Sequence, residues 1–436
     1  MNLIREKSAH ESAGARLPGP PEPPAPHGPP EPPTGTGRRV GSALPGLLTA
    51  AGGPRYAVAL VVDAVGGGLL RPFLLLYGVG VLHLGAGAAG LALSAGMVAG
   101  LVAVPLTGRW IDRGARTLPA AVTLVLRAVG ALVLLLTDGL SGFTAAAVLF
   151  GVGSQSWPTT HAAVVSTLTE GRLRDAALAA GRSLRNAGMG VGALLATLAV
   201  SGGAGAIRLL AGVTCAAWLV AAVLVGSLRV RAPRQERQEH PADPRERSEP
   251  LRRITLLSLA NAPYAFCFDV LEVALPALLV LRLHASPAWS SGIFVGNTVL
   301  VIALQLALVL RLADRSRRAV LAASGAVLAV SYLAFWAVGS LGGLPGTAGI
   351  AVVSVLYTLG EILYTGSGTA LVASVAPPHL LGRALARWEV SSGVGRAAAP
   401  AVLTALLAAG PGALWLPLAA ATALGALAVL RLGPAR

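Results

Sequence analysis

Ionisable residues inside long apolar runs are the places where this sequence could do chemistry. The acids are Asp63, Asp269, Glu272 and Glu361, and the bases are Arg71, Arg127 and Arg396. A charge at the centre of a bilayer costs about 2.5–3.5 kcal/mol on insertion scales, so it is retained where it pairs, faces a wet cavity or exchanges protons. Asp269 and Glu272 stand three residues apart, which on a helix puts both carboxylates on one face, one turn from each other. Such a pair resists double ionisation, a property suited to a group that takes up and releases protons; an ion pair with an arginine of another span is the alternative. Asp63 is followed by Gly66-Gly67-Gly68, which allows a neighbouring helix to approach closely or the chain to break beside the acid. Arg71 lies about two turns beyond Asp63 and reads either as its partner or as a snorkelling side chain. Arg127 is too deep to snorkel and reads as a counter-ion, while Glu361 is similarly deep and has Arg396 as one possible partner. His161 reads as a hydrogen-bonded packing residue ahead of a proton relay.

Other chemistries lack their residues. No metal-ligand spacing occurs, no Gly-x-x-x-x-Gly-Lys loop that would cradle ATP phosphates, and no His, Asp and Ser at catalytic spacing. Neither an enzyme, a cofactor nor a one-chain primary pump is expected. Cys215 and Cys267 both fall in apolar runs and read as small buried hydrophobes.

The elements that must position the charges are membrane spans. Of 436 residues, 54% are apolar and 12% charged, and the mean hydropathy is +0.70. A soluble domain carries about 25% charged residues, so lipid is the solvent this chain requires. With about 20 residues per crossing, spans are expected at 56–82, 86–108, 117–137, 142–165, 183–203, 206–228, 254–281, 288–310, 319–340, 347–372, 389–409 and 413–432. The expected class is therefore an all-α integral membrane protein of twelve helices in two pseudo-symmetric six-helix halves. Its expected divisions are a disordered Pro-rich tail (1–52), a first half (53–228), a charged linker (229–253) and a second half (254–436).

The net charge of +15 is spread as arginines that punctuate the apolar runs, with Lys7 the one lysine, which disfavours a nucleic-acid partner. Nearly all of them fall in the tail, the central linker, the C-terminal end and the loops after the even-numbered spans. The opposite loops hold only Arg208 and Arg282. Basic loops stay on the cytoplasmic side, so both termini are expected there, in a multi-pass protein of the plasma (inner) membrane.

The halves repeat. Asp112-Arg113 recurs as Asp314-Arg315, 202 residues on; His83 matches His284 at 201; Arg182, Gly188 and Gly190 match Arg387, Gly393 and Gly395 at 205; Asp63 matches Asp269 at 206. Transporters commonly place a site between two such repeats, so a secondary transporter with a central site is the expected function.

The segment Gly108-Arg109-Trp110-Ile111-Asp112-Arg113-Gly114-Ala115-Arg116 resembles the loop between spans two and three of the major facilitator superfamily, Gly-x-x-x-Asp-Arg-x-Gly-Arg-Arg, and the drug:proton antiporter branch in particular. Its second copy runs from Leu310 to Arg318 without the glycines, and Gly360-Glu361, Ala376-Pro377-Pro378 and Gly382-Arg383 are also similar to efflux members. The resemblance implies that Gly108, Asp112, Arg113, Arg116, Asp314 and Arg315 form a cytoplasmic gate. It also implies proton-coupled export of a small hydrophobic or cationic compound by a monomer. Gradient-driven uptake of a small metabolite is the alternative, with an integral-membrane enzyme or sensor behind it. Span four lacks the arginine that branch often carries, and its span-five glycine motif is reduced to Gly188 and Gly192.

Overall fold

A computed structural model describes residues 52–200, 203–231 and 244–432. The Pro-rich tail expected over 1–52 lies almost wholly outside the described residues, as does the middle of the linker, 232–243. Twelve long helices follow one another in the described chain: α1 Gly53–Leu70, α2 Ala86–Asp112, α3 Thr117–Leu136, α4 Leu140–Leu168, α5 Gly171–Val200, α6 Gly203–Gly226, α7 Pro244–Ala265, α8 Pro287–Arg311, α9 Arg317–Gly339, α10 Gly343–Val375, α11 Leu381–Ala409 and α12 Pro411–Leu432. Among the described residues nine helices are long and apolar enough to cross a membrane, or ten if the bent pair at the first span counts as one. Helices α4 and α5 complete the expected twelve; they are 29 and 30 residues long but more polar.

The first span of each half is broken. After α1 the chain turns at Arg71-Pro72, where proline fixes φ and withholds a backbone donor, and bends by 46° into Leu74–Val81. The α7 span is interrupted at Phe266 and continues through Cys267–Asp269 and Val270–Ala274 to Leu275–Leu281. Both breaks contain a turn of π-helix, Tyr77–Val81 and Val270–Ala274. Each span then ends in the same hydrogen-bonded turn, Leu84 N–H to Gly78 C=O and Ala285 N–H to Leu279 C=O, both at 2.9 Å. His83 and His284, the matched pair of the repeat, occupy the same left-handed conformation in it, at φ 53° and 50°.

Packing repeats likewise. Helix α1 lies on α5 and α6, α2 on α4, and α3 on α4 and α6; six helices later, α7 lies on α11 and α12, α8 on α10, and α9 on α10 and α12. The halves meet through α2 against α11 and α5 against α8, again equivalent pairs. Glycine decides the closest crossings. A Cβ at Gly96 or Gly151 would strike the other helix's backbone, which fixes α2 against α4, and Gly68 and Gly192 do the same for α1 and α5. Each half carries its own apolar cluster, one containing Leu124, Phe143 and Trp218 and the other Tyr332, Phe335 and Trp415. Outward-facing Leu91, Val98, Val102 and Leu106 of α2 are 59–74% exposed, a stripe that only lipid can cover.

Two helices begin earlier than hydropathy indicates. Helix α5 starts at Gly171 rather than 183, and α11 at Leu381 rather than 389. Their charged first turns are helical because they pack between the halves. Trp388 and Trp415 are buried, at 3% and 0% exposure.

Candidate functional site

Asp63 is the most completely engaged of the intramembrane acids. Helix α3 brings Arg127 to it at 2.8 Å, and α6 brings Trp218, whose indole N–H donates at 3.1 Å. The guanidinium lies between the rings of Trp157 and Trp218, 5.3 and 5.2 Å from their centroids, a cation–π cradle that offsets desolvation. Asp63 and Arg127 are both 3% exposed. Arg127, not Arg71, is therefore the partner of Asp63. Against the same wall the hydroxyl of Tyr56 meets His161 Nδ1 at 2.8 Å, and both Tyr56 and Trp157 stack on the imidazole.

The acid in the first span of the second half has no such cradle. Asp269 sits just before the π turn of its span, with Oδ2 buried and without a hydrogen-bond partner. Glu272 is exposed one turn on. Glu361 accepts from Asn297 Nδ2 at 2.8 Å, and that amide also reaches Thr358 Oγ1 at 3.0 Å. Arg396 lies over the Phe268 ring at 5.8 Å, with Nε buried and unpartnered; it forms no ion pair with Glu361.

These groups line one cavity of about 470 Å³ between the halves. Arg71, Arg182 and Arg185 enter it from the first half, Asp269, Glu272, Glu361, Glu389 and Arg396 from the second. Among the described residues no ion pair within 4.0 Å joins Arg71, Arg182, Arg185 or Arg396 to a carboxylate. Arg182, Arg185 and Glu389 were missed by sequence reasoning, which placed Arg182 just before a span and Arg185 and Glu389 at the first turns of spans. The available signal was the match of Arg182 to Arg387, read as a marker of duplication alone. Among the described residues no cluster of His, Cys, Asp or Glu is suited to a metal, and both cysteines are free and buried.

At the end of the bundle that carries the arginine-rich loops, Asp112 closes α2 onto α11. Gly382 N–H donates to Oδ1 at 2.7 Å, and Arg383 donates to Oδ2 through its backbone at 3.3 Å and through Nε at 2.7 Å. A carboxylate at a helix N-terminus meets unpaired N–H groups and the positive end of the dipole. Gly108 makes this approach possible, because a side chain there would meet the backbone of Gly382. Arg116 is turned inward, donating to Thr167 Oγ1 at 2.9 Å and to the Ile111 carbonyl. Burial pulls its guanidinium below the usual range, and Asp112 acts in the opposite direction. The second copy makes contacts with the start of α5 from the loop after α8 and the first residue of α9: Asp314 with Arg172, and Arg317 Nε with Asp175 Oδ2 at 2.7 Å. Arg113 and Arg315 make no ion pair among the described residues; Arg113 lines the cleft at this end, and Arg315 the pocket beside Asp175.

Two repeated six-helix halves, a charged cavity between them and paired contacts closing one end define a multi-pass secondary transporter, not an enzyme. The family model described as Major Facilitator Superfamily matches residues 56–303, and the chain belongs to that superfamily. Solved structures agree in fold. A human organic anion transporter, MFSD10 (TETRAN), is 17% identical with a TM-score of 0.69, covering 88% of this chain and 98% of that one. A bacterial homologue of the iron transporter ferroportin, in an outward-facing state, is 14% identical with a TM-score of 0.66, covering 91% and 99%. The transporter FucP, in the outward conformation, is 13% identical with a TM-score of 0.67, covering 87% and 98%. No curated protein sequence matches the chain.

Proposed function

We propose that the protein is a proton-coupled secondary transporter of a small charged solute, working by alternating access between its halves. The observation that carries this reading is the difference between the acids of the two first spans. Asp63 is neutralised in place, whereas Asp269 presents an unpartnered oxygen beside Glu272 in the cavity between the halves. Proton exchange is assigned to Asp269, with Glu272 and Glu361 as neighbours; a carboxylate must gain and lose its proton without collapsing its surroundings, and Asp63 is too tightly held to do so. The contacts of Asp112 with Gly382 and Arg383, and of Asp314 with Arg172, form the gate at the arginine-rich end. That end is assigned to the cytoplasm on the distribution of basic loops.

Resemblance to drug:proton antiporters supports export. Charged walls support a charged over a hydrophobic cargo, and equally support the second reading, gradient-driven uptake of a small polar metabolite. The decisive measurement is solute-driven proton movement in proteoliposomes, read with a pH-sensitive dye. Asp269→Asn is expected to abolish proton movement while keeping solute binding, and Asp63→Asn to lower the amount of folded protein. Undiminished proton movement in Asp269→Asn overturns the assignment of coupling.

A further inference from the structure

The charges lining the cavity are unevenly divided between the halves. Arg71, just after α1, and Arg182 and Arg185 of α5 come from the first half, whose one lining carboxylate, Asp63, is already neutralised by Arg127. The second half contributes four carboxylates, Asp269, Glu272, Glu361 and Glu389, against one arginine, Arg396. The two walls face each other without closing ion pairs, and Asp269 Oδ2 and Arg396 Nε remain buried and unpartnered. The charged residues other than Asp63 and Glu272 are half-buried, and charges held apart at such a depth are costly unless something between them completes their pairing. A monocation entering the cavity is repelled by the arginine wall and a monoanion by the carboxylate wall, and like-charge juxtaposition costs several kcal/mol. A solute carrying both charges satisfies both walls at once.

We infer that the transported solute is a zwitterion of the amino-acid or short-peptide class, with its carboxylate on the Arg182 and Arg185 wall and its ammonium on the Asp269, Glu361 and Glu389 wall. This inference rests on the transport reading above and narrows it. A cavity of about 470 Å³ holds a free amino acid or a dipeptide. Guanidinium groups suit the carboxylate, because they offer paired donors in fixed geometry.

The test uses the full chain in nanodiscs and titrates a pool of the standard amino acids and a pool of dipeptides. Each is compared with its N-acetylated form, which keeps only the anion, and its C-amidated form, which keeps only the cation. Tetraphenylphosphonium and a pool of sugars complete the set. One zwitterionic pool is expected to bind at least tenfold more tightly than either of its capped forms, and which pool it is separates amino acids from peptides. Arg182→Gln is expected to shift preference towards the amidated pool and Glu389→Gln towards the acetylated pool, an exchange that a merely structural role does not produce. Equal binding of a capped pool, binding confined to the cation or the sugars, equal losses for all pools in both variants, or no binding by either zwitterionic pool each overturns the inference. Counterflow in proteoliposomes separates the two claims. A non-zwitterion that binds and exchanges leaves the transport reading standing and removes this one, whereas a zwitterion that binds without exchanging does the reverse.

Discussion

Asp63 and Asp269 both stand in the first span of their half, 206 residues apart, yet their surroundings are opposite. The first is held by Arg127, an indole N–H and two aromatic faces. The second stands just before a turn of π-helix with one oxygen unpartnered. In the register set by His83 and His284 the place of Asp63 falls to Tyr264, which packs against α9 and α12 as Asp63 does against α3 and α6; the first half uses its acid to hold helices together, and the second carries its acid on the cavity side of the span. The same contrast runs through the packing. In the first half α2 and α4 cross backbone to backbone at Gly96 and Gly151, whereas Gly296 of α8 has open space where its Cβ would lie.

The largest effect that can break this comparison is on the ion pair. Arg127→Leu leaves Asp63 charged, buried and unpaired, and is expected to cost about 3–5 kcal/mol, measured by thermal unfolding in detergent. Asp269→Asn removes no partner and is expected to stay within about 1 kcal/mol. Equal losses would mean that the two acids do the same work.

Next come the helix crossings. Gly151→Val drives a branched side chain into the Gly96 backbone and is expected to destabilise by about 1–3 kcal/mol. Gly296→Ala is expected to be neutral or to stabilise by up to about 1 kcal/mol, since alanine is the better helix former. The same thermal assay ranks the two.

The gate contacts follow. Asp112→Asn loses the charge on three donated hydrogen bonds, and with Arg383 41% exposed the expected cost is about 1–2 kcal/mol after screening. It is expected to speed labelling, from the arginine-rich side, of a cysteine placed at Thr369 in a chain lacking Cys215 and Cys267. Asp314→Asn breaks a pair whose members are 62% and 70% exposed, so its effect is expected to be smallest, at most about 1 kcal/mol and erased by salt.

Much of this architecture was legible in the sequence. Apolar run lengths gave the spans, and a nearly constant offset gave the repeat, because helices in lipid must be long and apolar. The deep acids were legible for the same reason, since a charge is conspicuous in hydrocarbon. Arg182, Arg185 and Glu389 were hidden by their company: charged turns read as a span's edge to hydropathy, yet α5 and α11 carry them as helix into the space between the halves. The partner of Asp112 was hidden by distance, because Arg383 lies 271 positions away and no local spacing points to it. The resemblance indicated a gate at Asp112, but which helix it closes on is tertiary information. For Asp63 the sequence left Arg71 open as the partner; packing of α3 against α6 selects Arg127.

The guanidinium held between Trp157 and Trp218 also makes the molecule its own optical probe. Indole emission responds to a charge a few ångströms from the ring, so any rearrangement that draws Arg127 away from Asp63 changes the light from these two tryptophans before any label is attached. The ion pair that keeps the first half rigid thereby reports, in the native chain, whether that half stays rigid while the other one moves.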